Sequence, residues 1–197
     1  FLAEWLGQAA CHTNPGYQVT GFDDLRVLHG VKLEGSRPVD ISAFAARLDF
    51  STAEEVTVRA EIRGPRGSQT QAPLVRASIL LAPMGGRAIP TTPSSAPRIR
   101  GDYPYPQSQW YSKLLFHGPS WQGINAIEGY APLGSSEPGI ICRVRPSPAP
   151  SVWMKNPHRS RWILDSLALD CAFQMMILYS QAQLGMPCLP SHVASFR

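Results

Sequence analysis

Asp170 sits inside the most apolar run of the chain, among Leu167, Leu169, Ala172 and Phe173, with Gln174 four residues further on. Four residues is just over one helical turn, so carboxyl and amide share a face and can touch. Burial disfavours a carboxylate, and a carboxylic acid that keeps its proton near neutral pH can hand it to a leaving hydroxyl. Asp165 is predicted to cap the same helix, which puts Asp170 beyond the first turn, where neither capping nor the helix dipole accounts for it. The pattern also fits an ordinary solvated stripe of Ser166, Asp170, Gln174 and Gln181. Asp23, Asp24, Glu54 and Glu55 read as turn or surface residues, and Asp170 is expected to be the one carboxyl with both an apolar helix and a Gln one turn later.

A second constellation is Phe116-His117-Gly118-Pro119-Ser120-Trp121. The Gly-Pro pair fixes a tight turn and holds an imidazole on it between aromatic residues. His117 could serve as a base, a hydrogen-bond partner or a pocket wall, or be a turn histidine with no chemistry. The other four histidines share no spacing with carboxylates or cysteines, so no metal site is predicted. No Gly-x-Ser-x-Gly elbow or phosphate loop is present. Tyr103, Tyr105, Trp110 and Tyr111 read as packing or as the wall of an apolar pocket, since no basic residues interleave them.

These residues need elements to hold them. Leu2 to Cys11 has helical spacing and ends at Asn14-Pro15-Gly16. Strands are predicted at 25–33, 39–50, 56–62 and 74–81, with a turn at Gly64-Pro65-Arg66-Gly67 between the last two. Residues 84–108 are rich in Pro, Gly and Ser and read as a linker. Strands follow at 121–130 and 139–144, then a long helix at 164–184 and a β-like tail at 189–197. A helix followed by four strands is the α+β arrangement in which a sheet wraps a helix.

Taken in order, LLFHGPSWQGI from Leu114, LDCAFQ from Leu169 and LPSHV from Leu189 resemble the second half of the dehydratase domains of type I polyketide synthases. Within that family they most resemble the polyunsaturated-fatty-acid and enediyne synthase type. The opening FLAEWLGQAA resembles the helix that follows that family's His-x-x-x-Gly-x-x-x-x-Pro motif. The resemblance implies an α+β double hotdog, two sheets each wrapped around a central helix, incomplete at both ends. Residues 1–83 would form the first hotdog, 84–108 the linker and 109–197 the second.

The resemblance also implies dehydration of a 3-hydroxyacyl chain to a 2-enoyl thioester, with Asp170 as the acid and Gln174 and His117 in support. Phe116, Gly118, Pro119, Trp121, Phe173, Leu189 and Pro190 would line the substrate pocket. No metal or organic cofactor is expected, because elimination beside a thioester needs only a base and an acid, and the substrate would ride on the phosphopantetheine arm of an acyl carrier protein. The implied partners are that carrier and the neighbouring synthase domains, in an assembly that leaves room for a homodimer. Two departures stand out. None of the five histidines begins the base motif, so the catalytic histidine is expected upstream of Phe1, and His117 replaces the tyrosine usual before Gly-Pro. A catalytically silent structural domain and a product-template (cyclisation) domain are the alternatives.

Composition narrows the field. The chain has 197 residues, 44% of them hydrophobic, enough for a substantial core. Charged residues are sparse at 16% with a net charge of +4, so nucleic-acid binding is not expected, though a mildly basic surface suits an acidic carrier domain. No membrane span or basic leader is evident, and Cys11, Cys142, Cys171 and Cys188 show no paired spacing, which predicts a reduced, cytosolic protein.

Overall fold

A computed structural model describes residues 1–30, 38–49, 51–64, 72–85 and 99–197. The fold is α+β, with two antiparallel sheets and a few helices, in two compact units. The first unit is Phe1–Thr91 together with Ser191–Arg197, and the second is Thr92–Pro190.

In the first unit, helix α1 (Leu2–Thr13) packs against a sheet of β1 (Tyr17–Val27), β2 (Ser42–Arg47), β3 (Val56–Arg63) and β4 (Pro73–Pro83). The period-2 alternation of VTVRAEIR puts Val56, Val58, Ala60 and Ile62 on one face. They join Val75, Ile79 and Leu81 of β4 and Leu6 and Ala10 of α1 among the buried residues. The final strand, β7 (His192–Phe196), pairs antiparallel with β1, in the order β2-β3-β4-β1-β7.

That last pairing corrects the expected 109–197 unit: residues 191–197 belong to the first unit. Leu25 faces Val193 and Phe22 faces Phe196, whose rings stack at 5.0 Å. Gly21 permits the approach, since a Cβ there would collide with the Phe196 carbonyl. Arg197 then binds the Asp23 carboxylate at 2.7 and 2.9 Å. The first strand also starts at Tyr17 and not at Leu25. Its register against β4 slips between Val19 and Gly21 and again between Asp23 and Arg26, and these bulges break the period-2 pattern by which a strand is read. The expected strand residues 31–33 and 50, the turn at 65–67 and the linker at 86–98 lie outside the described residues.

In the second unit, α2 (Gln107–Gln109) runs into a π-helical turn at Trp110–Leu114, and a 3₁₀ turn at Pro119–Trp121 precedes β5 (Ile124–Ala131). β5 pairs antiparallel with β6 (Gly139–Val144), and α3 (Pro150–Trp153) leads to α4 (Ser166–Leu184). Residues 99–108 differ from the expected linker because they are bonded into this unit. The Gly101 carbonyl accepts from Tyr130 N–H at 3.1 Å, and the Tyr103 hydroxyl donates to the Leu178 carbonyl at 2.7 Å.

Asp165 caps α4 as its position predicts: its side chain accepts from Ala168 N–H at 2.9 Å and from the Ser147 hydroxyl at 2.7 Å. Gly185 ends the helix in the left-handed conformation, at φ 69°. Burial alone would raise the Asp165 pKa, but the bonds from Ala168, Ser147 and Leu167 hold it below the usual carboxylate range. A depressed folded pKa adds stability that is present above the unfolded value, about 3.9, and is lost as pH falls through the folded one. Asp165→Ala is therefore expected to lower unfolding free energy by about 1–2 kcal/mol at neutral pH. In denaturant titrations the gap should narrow once pH drops below about 4; a gap that stays constant into acid would contradict the cap.

Candidate active site

The inward stripe of α4 is Leu167, Cys171, Gln174, Ile177 and Leu178, all buried. Four are apolar or thiol side chains, but Gln174 is an amide with no exposure, so each of its polar groups needs a partner. It finds them. Nε2 donates to the Trp121 carbonyl at 2.8 Å and to Asp170 Oδ2 at 2.7 Å, while Oε1 accepts from the Tyr111 hydroxyl at 2.7 Å. Tyr111 in turn accepts from Ile124 N–H at 2.8 Å.

The 121–123 backbone can reach this helix because residue 123 is a glycine. A Cβ there would collide with Cys171 Sγ and lie 2.9 Å from Leu167 Cγ. The Trp121 carbonyl is held from two sides, since it also accepts from Gly123 N–H at 3.0 Å.

His117 comes from the loop between the π-helical and 3₁₀ turns. Its carbonyl accepts from Gln122 Nε2 at 3.1 Å, and Phe116 stacks on its ring at 4.4 Å. The imidazole is only 10% exposed, with Nε2 3.4 Å from Asp170 Oδ2. Burial lowers its pKa and the Asp170 charge opposes that shift, with burial the larger effect. A neutral imidazole results near pH 7. With its proton on Nε2, facing the carboxyl, Nδ1 is an acceptor, and Nδ1 is buried with no hydrogen-bond partner.

Asp170 Oδ2 thus meets an amide donor and an imidazole, and no described group bonds Oδ1. A carboxyl so placed can transfer a proton through Oδ1 while Oδ2 stays an acceptor. The side chain keeps 27% of its exposure, so the group is reachable.

The structure brings Asp170, Gln174, His117 and Trp121 together. Trp121 is half-buried and stacks on Trp153 at 5.0 Å, and Phe173 is half-buried on α4. Gly118 and Pro119 are exposed at the turn. The expected pocket residues Phe116 and Leu189 stand open to solvent, at 75% and 70% exposure. Phe116 spends one ring face on His117, whereas Leu189 follows Cys188, whose N–H bonds the Ser180 hydroxyl. Ser180 is ten residues along α4 from Asp170, or about 15 Å at 1.5 Å per residue. Pro190 is half-buried beside it in sequence. A depression of about 540 Å³ elsewhere in this unit is edged by Arg100, Asp102, Tyr130 and Glu137, and it contains none of these residues.

Two features went unread in the sequence. Tyr111 looked like packing, yet its hydroxyl is the hub between Ile124 and Gln174. Glu4 corrects the expectation that Asp170 is alone: it is 1% exposed on α1, and Gln8 Nε2 donates to its Oε1 at 2.9 Å. The shared carboxyl-x-x-x-Gln spacing was the available signal. Among the described residues, no group of three or more His, Cys, Asp or Glu side chains could hold a metal ion, and no helix is long and apolar enough to cross a membrane.

The chain is similar to a polyunsaturated fatty acid synthase subunit from Thraustochytrium sp., with 27% identity over 180 residues. The match covers 91% of this chain and 6% of the relative's length. No family model matches the chain, and no solved structure does.

Proposed function

We propose that this chain belongs to a polyketide or fatty acid synthase and removes water from a 3-hydroxyacyl chain carried on a phosphopantetheine arm, with Asp170 as the acid. The observation that carries the reading is the Gln174–Asp170 bond at 2.7 Å, beside a buried imidazole whose Nε2 lies 3.4 Å from the same carboxyl oxygen. A substrate 3-hydroxyl at Asp170 Oδ1 would accept from the acid, with the His117 imidazole and the Gln174 amide holding Oδ2. As the C3–O bond breaks, the Oδ1 proton passes to the departing oxygen and water leaves. The C2 proton goes to a histidine base on a segment outside these residues, and its bonding pair forms the C2–C3 double bond. Similarity to a fatty acid synthase polypeptide over most of the chain supports the substrate class. In this reading the two units are hotdogs, and the partners are a carrier domain and neighbouring synthase domains. The open positions of Phe116 and Leu189 favour a second reading, a structural domain without turnover.

The test is conversion of 3-hydroxyacyl carrier thioesters by the full-length polypeptide, followed by mass spectrometry. Loss of one water is expected, and its absence would favour the structural reading. Elimination beside a thioester needs only a base and an acid, so dialysis against a strong chelator is expected to leave the rate unchanged. A large loss restored by added metal would contradict that.

A further inference from the structure

We infer that Tyr111 is a positioning residue that steadies the Gln174 amide against Asp170 Oδ2, so that Asp170 acts through Oδ1. The inference rests on the dehydration reading and follows from hydrogen-bond direction. A backbone N–H can only donate, so Ile124 N–H at 2.8 Å occupies Tyr111 as an acceptor. The single hydroxyl proton of Tyr111 then goes to Gln174 Oε1 at 2.7 Å. With Oε1 fixed, both amide hydrogens must point the other way, one to the Trp121 carbonyl and one to Asp170 Oδ2. Oδ2 is thereby held as an acceptor, which leaves Oδ1 as the oxygen that passes a proton to substrate. Without the Tyr111 hydroxyl the amide oxygen loses its donor and the Trp121 carbonyl alone holds the amide, so its grip on Asp170 Oδ2 loosens. Burial pushes the Tyr111 pKa up to about 12, so the donor stays protonated throughout any working range.

Tyr111→Phe in the full-length protein keeps the ring and removes only the hydroxyl. Turnover is expected to fall about tenfold, with KM within about twofold of the parent, because the lost contact orients the acid and does not bind the acyl chain. The effect should vanish on a Gln174→Ala background, where no amide remains to orient. If the two substitutions multiply, if KM alone changes, or if Tyr111→Phe matches the parent, the inference fails. Should Tyr111→Phe not fold, 3-fluorotyrosine at position 111 carries the test, since it keeps the hydroxyl and strengthens it as a donor. Turnover at or above the parent's supports the role, and a clear fall overturns it. Full activity in Asp170→Asn would sink the dehydration reading itself. Loss in Asp170→Asn beside a normal Tyr111→Phe would sink only the positioning role.

Discussion

Asp170→Asn is expected to lower turnover by roughly two to four powers of ten, the usual contribution of a general acid. Asparagine keeps the size of the side chain and can still accept from Gln174 through its oxygen, so the network around Gln174 and Trp121 should survive. What disappears is the ability to pass an acidic proton, the role the dehydration reading gives to Asp170. Circular dichroism and denaturant midpoints should therefore stay close to the parent while dehydration of a 3-hydroxyacyl thioester collapses. Gln174→Ala should cost less, because it removes an orienting contact and leaves the acid in place. A well-folded Asp170→Asn protein with near-normal turnover would overturn the assignment and favour the structural reading.

Gly123→Ala is expected to do damage of a different kind. Its Cβ would meet Cys171 Sγ and Leu167, and neither can withdraw, since both are buried with no exposure. Overpacking of this sort costs about 1–3 kcal/mol. The backbone must instead move off α4 and take the Trp121 carbonyl away from Gln174 Nε2. A shift of about 1 Å at a group that supports the chemistry can cost about a hundredfold in rate. Stability and turnover should thus fall together, unlike the Asp170 variant. Adding Cys171→Ala removes the nearest obstacle and should restore part of both. No recovery in the double variant would mean that the contact between residue 123 and α4 has been misidentified as the cause.

The parts of this structure that could be read from the sequence are those with local causes. β3 alternates cleanly, α4 has its cap at Asp165 and its stop at Gly185, and Asp170 and Gln174 lie one turn apart, where helix geometry alone brings them into contact. β1 was less legible because two register slips, with Asp24 at a positive φ of 49°, scramble the alternation. The partner of β7 leaves no local trace, since its pairing is set by matching faces far apart in the chain. The approach of His117 to Asp170 spans 53 positions and entered only through resemblance to a known family. Tyr111 was hidden by its type: a tyrosine among aromatics reads as packing, and only the direction of two hydrogen bonds reveals its hydroxyl as a hub. Glu4 and Gln8 carried the same spacing as Asp170 and Gln174, in a helix too short and too near Phe1 to draw the comparison.

The pairing of β1 with β7 has a consequence for the chain as it leaves the ribosome. Asp23 meets Arg197 across 174 residues, and the whole second unit is synthesised between them. At ribosomal speeds β1 waits about 10–30 s for its neighbour. Through that interval its outer edge offers unpaired N–H and C=O groups to any other nascent strand. The bulges at Val19–Gly21 and Asp23–Arg26 twist that edge, and the Asp23 carboxylate places a negative charge on it beside the Asp24–Arg26 ion pair. Irregularity that made β1 hard to recognise therefore guards it against the wrong strand until Arg197 arrives to neutralise Asp23 and His192 to meet Asp24 at 2.9 Å.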